Sequence, residues 1–269
     1  MNILVISGLS ILGFIASVSD VVAGGGNLFL VSVFGLIGLP TLVAIATMQI
    51  VTVVLDIITS LIFNNEKLVN WKQACTFAPL AMIGSYFGAH TAIKMDQQLF
   101  SYLVGGLMLL ILLTIPHVKK EKVTFSRTVR VLFNKLTNKR PIITQNRKQT
   151  IILMFFTVFI GFYAGFYGGS VGTLMLLGFY FIGGASILAT AATTKVIDIF
   201  MSVVASYIYF NQPDLINWQY AFPTILGGAI GSFVGINWAK KFGYKYIRIL
   251  LYIIVAGSAV KFIFFPSLY

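Results

Sequence analysis

Ile83-Gly84-Ser85-Tyr86-Phe87-Gly88 returns 147 residues later as Ile230-Gly231-Ser232-Phe233-Val234-Gly235, and Leu68-Val69-Asn70-Trp71 returns at that same offset as Leu215-Ile216-Asn217-Trp218. The chain therefore carries one apolar unit twice. Each copy also holds a patch broken by glycines: Ala23-Gly24-Gly25-Gly26-Asn27 in the first, Tyr167-Gly168-Gly169-Ser170-Val171-Gly172 in the second. Two apolar repeats, each interrupted in the same place, predict a secondary transporter whose site lies between its halves.

Composition sets the solvent. Apolar residues are 58% of the chain and charged residues 10%, with mean hydropathy +0.92. A soluble domain carries about 25% charged residues. Stretches such as Ile3 to Ala23 and Tyr102 to Ile115 hold almost no charge, and runs of this length read as transmembrane helices. A soluble bundle would need a polar outer stripe on its helices. The first segment has no basic stretch ahead of it and leads into the glycine patch, so it is read as part of the mature fold rather than a cleaved leader. One cysteine, Cys75, and two distant histidines, His90 and His117, offer no metal cluster, and no cofactor is expected.

The net charge of +12 is concentrated in one place. Between His117 and Lys148 lie ten basic residues against Glu121 alone. Short basic loops mark the cytoplasmic side, and such a segment is held at anionic headgroups by about 1 kcal/mol per Lys or Arg. Residues 1–116 are thus predicted to form an N-terminal transmembrane repeat, 117–149 a basic cytoplasmic linker, and 150–269 a C-terminal repeat. Spans are expected near 3–23, 41–63, 73–92 and 98–116, then 150–167, 187–210, 219–239 and 246–265. Short segments near 27–39 and 172–184 are too brief to cross upright, which takes about 20 residues.

Five segments per half place Lys67, Lys72, Lys240, Lys241, Lys245 and Arg248 inside, with Lys94 the exception. If the short segments alone re-entered, Lys240 to Arg248 would fall outside, a worse fit to the charge rule. An odd number of crossings inverts one repeat relative to the other. The predicted fold is an all-α polytopic membrane protein of two inverted repeats, with short broken helices meeting near mid-membrane.

The candidate site follows from the breaks. Gly24, Gly25, Gly26 and Asn27, with Gly168, Gly169, Ser170 and Gly172, free backbone amides beside helix N-termini, where an anion is the natural guest. Close helix packing is the other reason for glycine in lipid, and it is the expected role of Gly84, Gly88, Gly231 and Gly235. After each short segment comes a polar cluster: Thr47-Met48-Gln49 with Asp56, and Thr193-Thr194-Lys195 with Asp198. Lys195 is the basic residue of a central membrane segment, and ionisable groups there are functional candidates. It is expected either to neutralise a substrate or to pair with Asp198 one turn on. Asp20, Asp56 and Asp198 are candidate proton- or ion-coupling acids, and Asp20 is also placed to hydrogen-bond the broken backbone. Trp71 and Trp218 read as interfacial anchors.

The stretches Val18-Ser19-Asp20-Val21-Val22-Ala23-Gly24-Gly25-Gly26-Asn27-Leu28, Ala46-Thr47-Met48-Gln49, Gly161-Phe162-Tyr163-Ala164-Gly165-Phe166-Tyr167-Gly168, Thr194-Lys195 and Gly231 to Gly235 running into Lys240-Lys241-Phe242-Gly243 resemble the TauE/SafE family of sulfite exporters, especially its YfcA-like branch. The resemblance implies two homologous membrane halves, and export of sulfite, a sulfonate or another small anion across the plasma membrane. It also implies two departures. Gln49 stands where the first-half motif has a lysine. Ala164 stands where the second half often has an acid, leaving Asp20 without a symmetry mate.

A small-anion transporter is therefore expected, not an enzyme. Lys195 would supply the counter-charge, Thr47, Gln49, Thr193 and Thr194 the directional hydrogen bonds, and the ion gradient the drive. A cation-coupled carrier of a neutral or cationic solute, or a non-transporting scaffold, is the alternative. Lipid is an expected partner and nucleic acid is not.

Overall fold

The computed structural model describes residues 3–65, 67–114, 147–183, 187–242 and 245–264, so nearly all of the basic linker lies outside the described residues. All regular structure among them is helical. The first half holds α1 (Ile3–Ala23), α2 (Gly26–Leu36), α3 (Thr41–Asn65), α4 (Trp71–Lys94) and α5 (Gln97–Thr114). The second holds α6 (Arg147–Phe166), α7 (Val171–Gly183), α8 (Ile187–Phe210), α9 (Trp218–Phe242) and α10 (Lys245–Phe264), matching the first helix for helix. The chain is a multi-span bundle: α1, α3, α6 and α8 each contain a stretch long and apolar enough to cross a membrane.

The helices begin where the sequence punctuates them. Asn70 N-caps α4, its side chain accepting from the Gln73 amide at 3.2 Å. Asn217 does the same for α9 by accepting from Tyr220 N at 3.2 Å. The repeated Asn-Trp pair is thus a cap followed by a tryptophan, and Trp71 and Trp218 are both exposed. An apolar body with a polar tip suits a helix end at a membrane surface.

The halves are interlocked rather than side by side. α1 packs along α9 of the other repeat: Ser10 Oγ donates to Pro223 O, Ser17 Oγ meets Ser232 Oγ at 2.7 Å, and Gly235 lies against Val18. The numbers rise together, so these two helices run parallel. α4 packs along α6 in the same way, through Ala81 with Gly161, Ser85 with Gly165 and Gly88 with Phe166. Backbones come so close that a Cβ at Gly84 would lie 2.6 Å from Phe162 N, and one at Gly88 2.8 Å from Phe166 N. Glycine permits this approach, and in lipid it is what drives helices together.

α3 and α8, the equivalent central helices, run antiparallel. The Asn70 amide, just past the end of α3, donates to Thr193 Oγ1 in the second turn of α8 at 3.0 Å. The Asn217 amide, past the end of α8, donates to Thr47 Oγ1 in the second turn of α3, also at 3.0 Å.

The short helices double back instead of carrying the chain onward. After Gly24, whose φ is +68°, Gly26 lies against Ala16 and Asp20 of α1. The ring of Phe34, near the far end of α2, then meets Tyr220 in the first turn of α9, the end of the bundle from which α1 sets out. α7 returns along α6 likewise: Tyr163 Oη donates to Gly169 O at 2.6 Å, and Gly178 lies against Phe156. A long and a short helix therefore form one hairpin, which the expectation of five successive spans did not provide. Glycine at positive φ makes the turn possible, since side chains there are strained.

Candidate functional site

The two hairpin tips meet. A Cβ on Gly24 would lie 2.9 Å from Thr173 N, and one on Gly172 would lie 3.6 Å from Gly24 Cα and 4.0 Å from Lys195 Nζ. The second tip turns through Gly168 (φ +78°) and Ser170 (φ +59°), a non-glycine in the left-handed region. The site is built where broken backbone from one repeat abuts broken backbone from the other.

Lys195 of α8 points into this junction, with 5% of its surface exposed. Its Nζ donates to Asp20 Oδ2 on α1 and to Asp56 Oδ1 on α3, the latter at 2.8 Å. Both partners belong to the other repeat. The helix-face pair with Asp198 is not what holds the lysine. Asp198, one turn further along α8, is buried and makes no ion pair with it. Asp56 Oδ2 and Asp198 Oδ2 have no hydrogen-bond partner although both are buried. Three carboxyls thus surround one ammonium where water is scarce, and a buried charge without a counter-charge is costly.

Asp20 does two things at once. Its Oδ1 accepts from Gly26 N at 3.3 Å, at the open N-terminus of α2, while Oδ2 takes the lysine. Its own backbone carbonyl accepts from Gly24 N at 2.8 Å. The Gly24 and Gly26 amides expected to face a cavity are therefore engaged by Asp20. Beside this carboxylate is a space of about 10 Å³ lined by Asp20, Gly26, Asn27, Thr52 and Asp56 among others. That is room for about one water.

The remaining candidates divide. Asn27 Oδ1 accepts from Thr52 Oγ1 at 3.0 Å on the edge of that space. Gln49 Nε2 donates to Ala164 O at 2.6 Å and lies against Gly168, at the second tip. Thr47 and Thr193 hold the loop amides of Asn217 and Asn70, and Thr194 Oγ1 bonds back to Ala191 O at 3.0 Å in its own helix. Gly169 O receives the Tyr163 hydroxyl. Thr52 and Ser202 were not anticipated as site residues. The 146-residue spacing reveals them, pairing Thr52 with Asp198 and Asp56 with Ser202.

The repeat shows what the two departures mean together. Lys195 corresponds to Gln49 at 146 residues, and Asp20 to Ala164 at 144, the offset that also relates Gly24 to Gly168. The structure joins each couple by contact: Lys195 to the Asp20 carboxylate, Gln49 to the Ala164 carbonyl. An ion pair between the halves at one position is matched by a neutral hydrogen bond between them at the other. Among the described residues no group of three His, Cys, Asp or Glu side chains is set to hold a metal.

Interlocked helices, touching hairpin tips and a buried ion cluster between them are those of a polytopic membrane protein, and the family it matches is one of transporters. The model for "Sulfite exporter TauE/SafE" matches residues 9–262, and the chain belongs to this family. It is 25% identical to a "Probable membrane transporter protein" of Haemophilus influenzae, over 94% of this chain and 92% of that one. It is also 25% identical to "Probable membrane transporter protein ORF9" of a Sinorhizobium species, over 96% of this chain and 92% of the relative. No solved structure matches.

Proposed function

We propose that the chain is a secondary active exporter of a small anion, such as sulfite or a sulfonate, across the plasma membrane. The observation that carries this is Lys195: a buried ammonium at the meeting point of two glycine turns, held by side chains of the opposite repeat. An anion bound there touches both halves at once, which alternating access requires. Gly24–Asn27 and Gly168–Gly172 supply the turns, Gln49 and Asn27 neutral donors, and Asp20, Asp56 and Asp198 the coupling acids. With three carboxyls to one ammonium, uptake of a proton or cation brings the cluster nearer to neutrality.

The antiparallel course of α3 and α8 supports an inverted repeat. Counting each hairpin as entering and leaving on one side leaves three crossings per half. With the basic linker inside, Lys67, Lys72, Lys240, Lys241, Lys245 and Arg248 then fall inside as well, which agrees with the charge rule. Re-entry therefore costs the topology nothing, because the whole hairpin re-enters rather than its short arm alone.

The test is flux of sulfite and simple sulfonates in proteoliposomes, wild type against Lys195→Ala. Loss of flux in the variant is expected. Equal flux in the two proteins removes the lysine from the mechanism and overturns the assignment.

A further inference from the structure

Resting on that function, we propose that Asp20 is a resident anion occupying the substrate's seat, and that a transported oxyanion binds by displacing the Asp20 carboxylate from Lys195 and Gly26. The two oxygens of Asp20 lie on two different donors, an ammonium from the second repeat and the amide that opens α2. Those are the donors a small anion needs: a cation on one side and a helix N-terminus on the other. The carboxylate thus satisfies the site from within.

Three further observations make the seat exchangeable rather than a fixed brace. Lys195 keeps a second carboxylate, Asp56 at 2.8 Å, so it remains partnered when Asp20 leaves. The small space beside Asp20 is edged by Asn27, whose side-chain amide is a neutral partner for a carboxylate that leaves the lysine. Asp20 also lies in the last turn of α1, just before the positive-φ Gly24, and not in the middle of a continuous helix. The pseudo-symmetric seat carries no resident anion. There Ala164 offers only its carbonyl, already taken by Gln49. One exchangeable seat per chain follows, and the guest bears two oxygens on one edge, as a carboxylate does.

Formate, the smallest such guest, tests this on the purified full chain in detergent by thermal unfolding, with chloride at equal ionic strength as the control. Asp20→Ala opens the seat and is expected to gain a saturable, formate-specific stabilisation. Asp20→Asn keeps the shape but loses the charge that competes. Its half-saturating formate should fall roughly tenfold to a hundredfold below wild type, the worth of one charge-assisted hydrogen bond. Adding Lys195→Met to either variant should abolish the effect. If Asp20→Ala does not fold, Asp20→Asn alone decides. Formate affinity no better than wild type, or a gain that survives Lys195→Met, overturns the proposal. These outcomes leave the flux test above untouched, so failure of the seat and failure of the transporter assignment are separately visible.

Discussion

The surroundings of Lys195 and of Gln49 are the same place in two copies of one unit, and they have gone different ways. Around Lys195 stand Asp20, Asp56 and Asp198; the residues that correspond to these by the repeat are Ala164, which Gln49 contacts, Ser202 and Thr52. Every charged member on one side is neutral on the other. A buried ammonium that loses its carboxylate, or a carboxylate that loses its ammonium, costs far more than the absence of both. The differences therefore belong together as one change. The charged groups gather at one of the two pseudo-symmetric positions, and the other keeps neutral partners.

The comparison can be broken most forcefully at Lys195. Lys195→Ala leaves three buried carboxyls without a counter-charge, and a loss of about 3–5 kcal/mol is expected in detergent unfolding, along with loss of flux. Asp20→Ala with Lys195→Gln copies two residues of the neutral position onto the charged one. That double variant should unfold closer to wild type than Lys195→Ala does, yet still carry no anion. A double variant as unstable as the single would show that the halves are not interchangeable in this sense.

The reverse exchange is next in size. Gln49→Lys buries an ammonium beside Ala164 with no acid, and should lose about 3 kcal/mol or more. Adding Ala164→Asp should recover most of that loss, which a double-mutant cycle on unfolding midpoints reads directly. Strict additivity would mean the two positions do not face each other.

The tips give a smaller contrast. Gly24→Ala puts a side chain at φ +68° and against Thr173 N, and is expected to cost about 1–2 kcal/mol from the backbone alone. Gly172→Ala meets only ordinary contacts at 3.6 Å and beyond, so its unfolding midpoint should stay near wild type. Least of all, Thr47→Val and Thr193→Val each remove one loop hydrogen bond worth about 1 kcal/mol. Equal losses from these two would mark the part of the repeat that has stayed symmetric.

The helices were legible because lipid imposes a coarse rule: apolar runs become helices, and glycine, asparagine and loop charges end them. The expected 41–63 and 187–210 emerge as Thr41–Asn65 and Ile187–Phe210. What the pattern could not supply was direction after a break. Gly24 permits either a continued or a returning chain, and only the contacts of Gly26 with Ala16 and Asp20 choose between them. The site was half visible for the same reason. Lys195 and the acids stand out in an apolar chain, but a one-turn spacing favoured Asp198 as the partner of Lys195. Helices more than a hundred residues away instead bring Asp20 and Asp56 to it. Thr47 and Thr193 look alike in sequence as ligand hydroxyls, whereas the fold uses them to fasten the opposite repeat's loop.

The crossing of partners between repeats has a consequence for biosynthesis. α1 finds its parallel mate in α9, whose first residue, Trp218, is made about 200 residues after α1 itself. The nascent first half therefore waits in the bilayer with the small-residue groove of α4 vacant and Asp20 and Asp56 lacking their cation. Until Lys195 is made, those two carboxylates have no ion-pair partner, and incompletely packed chains of this kind are prone to misassembly.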